Sequence, residues 1–263
     1  MNGRFKSVFS VTLFLVGLLA LDANAVEEIT TITSAINKAG RQRMLTQRML
    51  KYYAMIGIDV QRESSYKKLD EAINLYNTQL EALKHFSPNI KVSQSLSSVA
   101  KLWLPYEKKL HEPGTRSNAE WLLEKNDALL KASHKVVILL QDASGTNYGK
   151  LVNLSGRQRM LSQRLAKFYM LKAWGFDNAE LRGKSEQAKK EFKIALKQLI
   201  NARENNQSIN LALTQAKSQW DLFEHGLERN GKTLVPLIVA MTSEKVLIKM
   251  NDITGMYEKL SDK

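Results

Sequence analysis

The sequence predicts an all-α protein built as two tandem antiparallel four-helix bundles after a signal peptide. Three observations predict it. A segment near the N-terminus recurs 116 residues later, apolar residues recur at the 3.6-residue helical period, and no alternating Val/Ile/Thr run of strand type appears. Only 4 Pro and 13 Gly in 263 residues leave room for long helices.

Residues 1–25 read as an address. Arg4 and Lys6 supply a positive start, Val8 to Leu21 is apolar apart from Ser10, Thr12 and Gly17, and Ala23-Asn24-Ala25 is a small-x-small cleavage site. The apolar run is shorter than the ~20 residues that span a bilayer. The mature chain is therefore expected to begin at Val26 in a bacterial periplasm, with a first four-helix domain over 26–145 and a second over 146–263.

In the first copy, a helix is expected from Glu27 to Gly57, with Ile29, Ile32, Ile36, Leu45, Met49 and Tyr52 facing inward. Ser64 or Ser65 is placed to cap a second helix through Phe86, where Pro88 stops it. A third runs from about Ile90 to His111, with Leu96, Val99, Trp103 and Leu110 on one side and Pro105 as a kink. Pro113-Gly114 turns, and Ser117 caps a fourth helix to about Ala143. The second copy repeats the plan. Its first helix ends near Trp174-Gly175, Asp177 caps the second, and Asn230-Gly231 turns into the fourth. Between the copies, Ser144 to Lys150 has two glycines and no proline. Either the fourth helix runs on into the fifth as a rod, or the glycines form a hinge.

The absence of cysteine excludes disulfides, zinc fingers, iron–sulfur clusters, thiol nucleophiles and acylated-Cys lipid anchors. A net charge of +13 would suit nucleic acid. Export argues against that partner and leaves small anions, anionic headgroups or an acidic protein. His85, His111, His134 and His225 fall in no metal-ligand spacing, and no carboxylate pair or nucleophile-and-base motif stands out. No catalytic residue, metal site or cofactor is therefore expected. Trp103, Trp121, Trp174 and Trp220 read as bundle core rather than a ligand cage.

The repeat itself carries the functional signal. Ile36-Asn-Lys-Ala-Gly-Arg-Gln-Arg-Met-Leu-Thr-Gln-Arg-Met49 returns as Val152-Asn-Leu-Ser-Gly-Arg-Gln-Arg-Met-Leu-Ser-Gln-Arg-Leu165, identical at nine of 14 positions. Lys51 and Tyr53 match Lys167 and Tyr169, and Ser133-His-Lys-Val-Val-Ile resembles Ser243-Glu-Lys-Val-Leu-Ile. Arg41, Arg43 and Arg48, like Arg157, Arg159 and Arg164, crowd two helical turns, with no acidic residue between Glu28 and Asp59 or between Asp142 and Asp177. Arg43 lies beside Met44 and Leu50, at the margin of the packed surface. Like charges ~4 Å apart repel by about 4 kcal/mol at an effective dielectric near 20. Such an arrangement, present twice, invites an anion, and the planar guanidinium fork suits small oxyanions. Gly40 and Gly156 sit mid-helix, where Gly is unfavourable by about 1 kcal/mol relative to Ala, so something approaches closely there. Asn37 and Asn153 share that face. Helix packing with solvated arginines is the other reading of the same residues.

The motif Asn-x-[Ala/Ser]-Gly-x-x-Arg-Met-x-[Ser/Thr]-x-Arg resembles the P-box of NarX/PilJ-type periplasmic sensor domains, most closely the N-terminal domain of type IV pilus chemoreceptors. The similarity is strong over 36–53 and 152–169. It implies an antiparallel four-helix bundle that binds a small oxyanion, such as nitrate or nitrite, at a two-fold interface between P-box helices. The ligand residues it implies are Asn37, Gly40, Arg43, Met44 and Arg48 with Asn153, Gly156, Arg159, Met160 and Arg164, the Arg before Met being the main one. Arg41-Gln42 and Arg157-Gln158 are larger and more polar than in the nitrate sensors, which points away from nitrate itself. The sequence carries no second membrane span or output module, so the resemblance implies a membrane-bound sensor kinase, chemoreceptor or cyclic-nucleotide enzyme as signalling partner. The two motifs would pair within one chain or across a homodimer. The alternative is a non-enzymatic adaptor whose P-box helices form a face for a protein or an envelope polymer.

Overall fold

The computed structural model describes residues 28–228 and 235–261. The leader expected over 1–25 and the turn expected at Asn230-Gly231 lie outside the described residues. Among these, eight helices and no strands are found: α1 (Ile32–Gly57), α2 (Arg62–Phe86), α3 (Ile90–Leu110), α4 (Arg116–Ser144), α5 (Asn147–Ala173), α6 (Ala179–Ile200), α7 (Gln207–Glu228) and α8 (Pro236–Ser261). No described helix is long and apolar enough to cross a membrane.

Helix starts follow capping chemistry. Thr31, Asn89, Thr115, Thr146 and Asn178 are extended, and each side-chain oxygen accepts from the backbone N–H three residues on. Three expected starts move accordingly. α1 begins at Ile32 rather than Glu27, because Thr31 offers the cap. Thr115 and Asn178 cap α4 and α6 in place of Ser117 and Asp177. For α2 neither Ser64 nor Ser65 caps. Gln61 precedes the helix in a left-handed conformation (φ 44°), and Ser65 is buried, its hydroxyl donating to the Val60 carbonyl. Pro105 lies inside α3.

α1 to α4 and α5 to α8 form two bundles, each with a matching aromatic pair between its second and third helices. Tyr76 and Trp103 have ring centroids 4.0 Å apart, and Phe192 stacks on Trp220 at 3.8 Å. Trp103 and Trp220 are buried, while Trp121 and Trp174 pack partly buried against the core.

The bundles do not form a rod. α4 stops at Ser144, Gly145 takes a left-handed conformation (φ 63°) with its N–H on the Gln141 carbonyl, and Thr146 caps α5 at once. Glycine reaches that conformation without steric cost, so the chain reverses within two residues. The reversal lays α5 against α1. The two run parallel and in register: Ile36 reaches Gly149, Lys51 reaches Gln163, and Gly57 meets Trp174. α1 also packs on α2 and α4, and α5 on α6 and α8. Both repeated motifs therefore lie on the two innermost helices. That position explains why most of α1 from Ala35 to Ile56 is buried although many of its residues are polar.

Candidate functional site

Two polar positions of the motif hold helices together, and a third bonds within its own helix. Gln42 Nε2 donates to the Tyr76 carbonyl (3.0 Å) and Gln158 Nε2 to that of Phe192 (2.9 Å), tying α1 to α2 and α5 to α6. Thr46 and Ser162 hydroxyls donate to the carbonyls of Arg43 and Arg159. Gln47 Nε2 donates to Asn126 Oδ1 on α4, and Gln163 Nε2 to the Ser243 carbonyl on α8. Each glutamine Nε2 is a buried donor satisfied across an interface, where loss of a partner would cost about 1–3 kcal/mol, whereas the two hydroxyls are satisfied within their own helix.

The arginines before the methionines are placed differently from the expected margin. Arg43 is 1% exposed and Arg159 0%, at the centre of the α1–α5 seam. Parallel packing brings both motifs to one level, and the missing Cβ atoms of Gly40 and Gly156 admit the guanidiniums between the helices. Nη2 of Arg159 and of Arg43 lie 3.4 and 3.5 Å from the Cβ position of Gly40, and 3.1 and 3.8 Å from that of Gly156. Arg43 donates through Nη2 to Asn153 Oδ1 (2.8 Å) and through Nη1 to His134 Nδ1 (2.9 Å). Arg159 donates through Nη2 to the Asn37 carbonyl (3.1 Å) and through Nη1 to Asn251 Oδ1 (2.9 Å). Neither forms an ion pair with a described carboxylate, and Nε of each is buried without a partner. Two like charges about 7 Å apart repel by about 2 kcal/mol at an effective dielectric near 20. Burial, then the charge of Arg157, lowers the Arg43 pKa to about 9. Burial, then Arg41 and Arg43, pushes Arg159 well below its usual range against the opposing pull of Glu258.

Asn37 and Asn153 are second components of the seam: beyond holding the arginines, Asn37 Nδ2 donates to Glu258 and Asn153 Nδ2 to Gln141. Met44 and Met160 are buried beside it. Arg48 and Arg164 are not brought to the seam centre. Arg48 Nη2 pairs with Glu244 Oε2 of α8 at 2.7 Å, and Arg164 stands 3.8 Å from Asp127 of α4. Counter-charges absent from the local sequence thus arrive from other helices for Arg48, Arg157 and Arg164, but not for Arg43 or Arg159.

Lys51 and Lys167, matched in the repeat but not among the expected ligand residues, are both fully buried. Lys51 Nζ binds Gln163 Oε1 and Glu244 Oε1, and Lys167 Nζ binds Asn126 Oδ1 (2.9 Å). Burial lowers the Lys51 pKa to about 8 against the pull of Glu244. Their recurrence at one offset was the available signal. A face of the motif helices open to a partner or polymer is not what the fold provides, because both helices are enclosed by their neighbours.

Comparison with known families matches residues 27–129 and again 143–247 to PilJ, the "Type IV pili methyl-accepting chemotaxis transducer N-term" family. No curated protein and no solved structure matches the chain. The family's domains are non-catalytic sensory modules of chemotaxis signalling, typically periplasmic. Two successive matches, covering both bundles and both motif helices, place this chain in the PilJ family, as a tandem of two such domains.

Proposed function

We propose that this protein is a periplasmic sensory protein that binds a small oxyanion in the α1–α5 seam and signals through a separate membrane partner. One observation carries the reading: Arg43 and Arg159 meet inside the protein, and neither forms an ion pair with a described carboxylate. A buried cation without a counter-ion is costly, and an anion bound between two such forks recovers that cost. The ligand set is Arg43 and Arg159, with Gly40 and Gly156 giving room and Asn37 and Asn153 orienting the guanidiniums. Internal duplication supplies both halves of a site that would otherwise need a homodimer. An anion that draws the two guanidiniums together changes the spacing of α1 and α5, and with it the attitude of the two bundles that a partner would read.

Thermal unfolding against nitrate, nitrite, sulfate and phosphate, with chloride at matched ionic strength, tests this. A ligand at 100 times its dissociation constant stabilises by about 2.7 kcal/mol. One anion should raise Tm, and Arg159→Gln should abolish the rise. A flat panel overturns the reading.

A further inference from the structure

Among the places where the two copies differ, one concerns the aligned positions His134 on α4 and Glu244 on α8. On α8, Glu244 reaches α1, where Arg48 Nη2 (2.7 Å) and Lys51 Nζ grip its carboxylate. The equivalent residue on α4 is His134, which reaches toward α5, where Arg164 and Lys167 are the equivalents of Arg48 and Lys51. Glu244 thus has no carboxylate counterpart at the aligned position; the one that α4 supplies to Arg164, Asp127, stands 3.8 Å away.

What remains there is a cleft of about 300 Å³ between α4, α5 and α6, lined by Arg43, Lys131, Arg157 and Arg164 and by Met160 and His134. Its two carboxylates are committed. Asp127 Oδ2 holds Lys184 at 2.6 Å and stands 3.8 Å from Arg164. Glu191 Oε2 holds Arg157 at 2.8 Å, and its Oε1 accepts from Gln187. Lys131 makes no ion pair with a described residue, and Nε of Arg43 and of Arg164 is buried without a partner. His134 Nδ1 accepts from Arg43, so the ring is neutral and offsets none of the positive charge.

We propose that this cleft binds a small carboxylate, seated against Arg164 and Arg43 as the Glu244 carboxylate is seated against Arg48 and Lys51. The occupied site is the template for the ligand's chemistry: a planar, singly charged pair of oxygens, one held by a guanidinium N–H and the other by a second cation. The site is distinct from the seam, with which it shares Arg43 alone, and it stands whether or not the seam binds an oxyanion.

The experiment is calorimetric titration of the protein with acetate and succinate, against chloride, sulfate and phosphate at matched ionic strength. Saturable carboxylate binding is expected. His134→Glu should fill the cleft from within and weaken that binding at least tenfold, and Arg164→Gln should do the same. Glu244→Gln should open the first site, so that acetate then raises its Tm by more than it raises that of the native protein. Arg159→Gln, which disables the seam, should leave carboxylate affinity within twofold. Absence of saturable carboxylate binding, binding that survives both His134→Glu and Arg164→Gln, or equal binding of sulfate and phosphate would each overturn the proposal.

Discussion

Arg43 and Arg159 are held crosswise: each is gripped by the asparagine region of the other copy, Arg43 by Asn153 Oδ1 at 2.8 Å and Arg159 by the Asn37 carbonyl at 3.1 Å. The second grip of each comes from its own copy, His134 on α4 and Asn251 on α8. Neutral acceptors therefore orient both cations without balancing their charge. Such an arrangement favours a ligand at the expense of the fold.

Replacing one of the two should expose that trade. Arg159→Met keeps the length and apolar stem of the side chain but removes a buried charge, and such replacements are often neutral or stabilising by about 1–4 kcal/mol. Against this stand two lost hydrogen bonds, worth about 1 kcal/mol each. Arg159→Met is expected to unfold within about 1 kcal/mol of the native protein or later, in chemical denaturation followed by circular dichroism, and to lose all oxyanion response. A loss of several kcal/mol would mean that Arg159 is held for packing.

Glu244 should behave in the opposite way. Removing its charge in Glu244→Gln leaves Arg48 and the fully buried Lys51 without a counter-ion. Breaking a buried pair costs about 3–5 kcal/mol, and the partial exposure of Arg48 and Glu244 places the effect near the lower end. At roughly 2–4 °C per kcal/mol for a domain of this size, Tm should fall by roughly 6–12 °C. Asp127→Asn gives up a 2.6 Å pair with Lys184 and a 3.8 Å contact with Arg164, both partly open to solvent, and should cost less than Glu244→Gln, about 1 kcal/mol.

The fold was legible because α2, α3, α6 and α7 each expose one side and bury the other. The sequence pattern of α1 and α5 was harder to interpret. Buried on nearly all sides, they carry Gln42, Thr46, Gln47 and Lys51 where an apolar stripe would ordinarily lie, and of these Gln42, Gln47 and Lys51 find partners across long-range interfaces. For the same reason Arg43 was legible as a ligand-type residue but not as a buried one. Its depth is set by α5, whose placement depends on a reversal at Gly145 that the glycine pair alone did not distinguish from a hinge or a continuous helix. The role of Glu244 was hidden because it lies 193 residues from the lysine it pairs with.

Acid should weaken the protein in two stages. Burial, then the charges of Arg43 and Arg157, lowers the His134 pKa to about 4, with Glu191 pulling the other way and Lys131, Arg164 and Asp127 lining the same cleft. The unfolded chain takes up that proton near 6.5, so it binds more protons than the native state between pH 6.5 and 4, and stability falls as pH drops through that window. Burial alone would raise the Glu244 pKa, but Lys51 and Arg48 outweigh it and hold it at about 2 against an ordinary 4.5. Its contribution is complete above pH 4.5 and is lost as pH falls from there toward 2. Urea midpoints measured from pH 7 to 3 should decline throughout. His134→Gln should flatten the upper part of the decline and Glu244→Gln the lower part.

Three of the glycines at the contacts between copies should respond differently to alanine. At Gly57 a Cβ would stand 2.1 to 2.5 Å from three indole atoms of Trp174, so the ring must leave its seat between the bundles. Overpacking of this kind costs about 1–3 kcal/mol, and Trp174→Leu in the same chain should recover most of it. At Gly156 a Cβ would lie 3.1 Å from Arg159 Nη2, which has to shift, while at Gly40 the nearest atom is 3.4 Å away. Alanine gains about 1 kcal/mol in a helix interior. Gly40→Ala is therefore expected to hold or raise Tm, and Gly156→Ala to lie between it and Gly57→Ala. Both seam variants narrow the space between the guanidiniums and should weaken oxyanion binding, whereas Gly57→Ala, 17 residues beyond Gly40 along the seam, should leave it intact. If Gly40→Ala raises Tm and retains full anion affinity, the glycines serve helix approach alone.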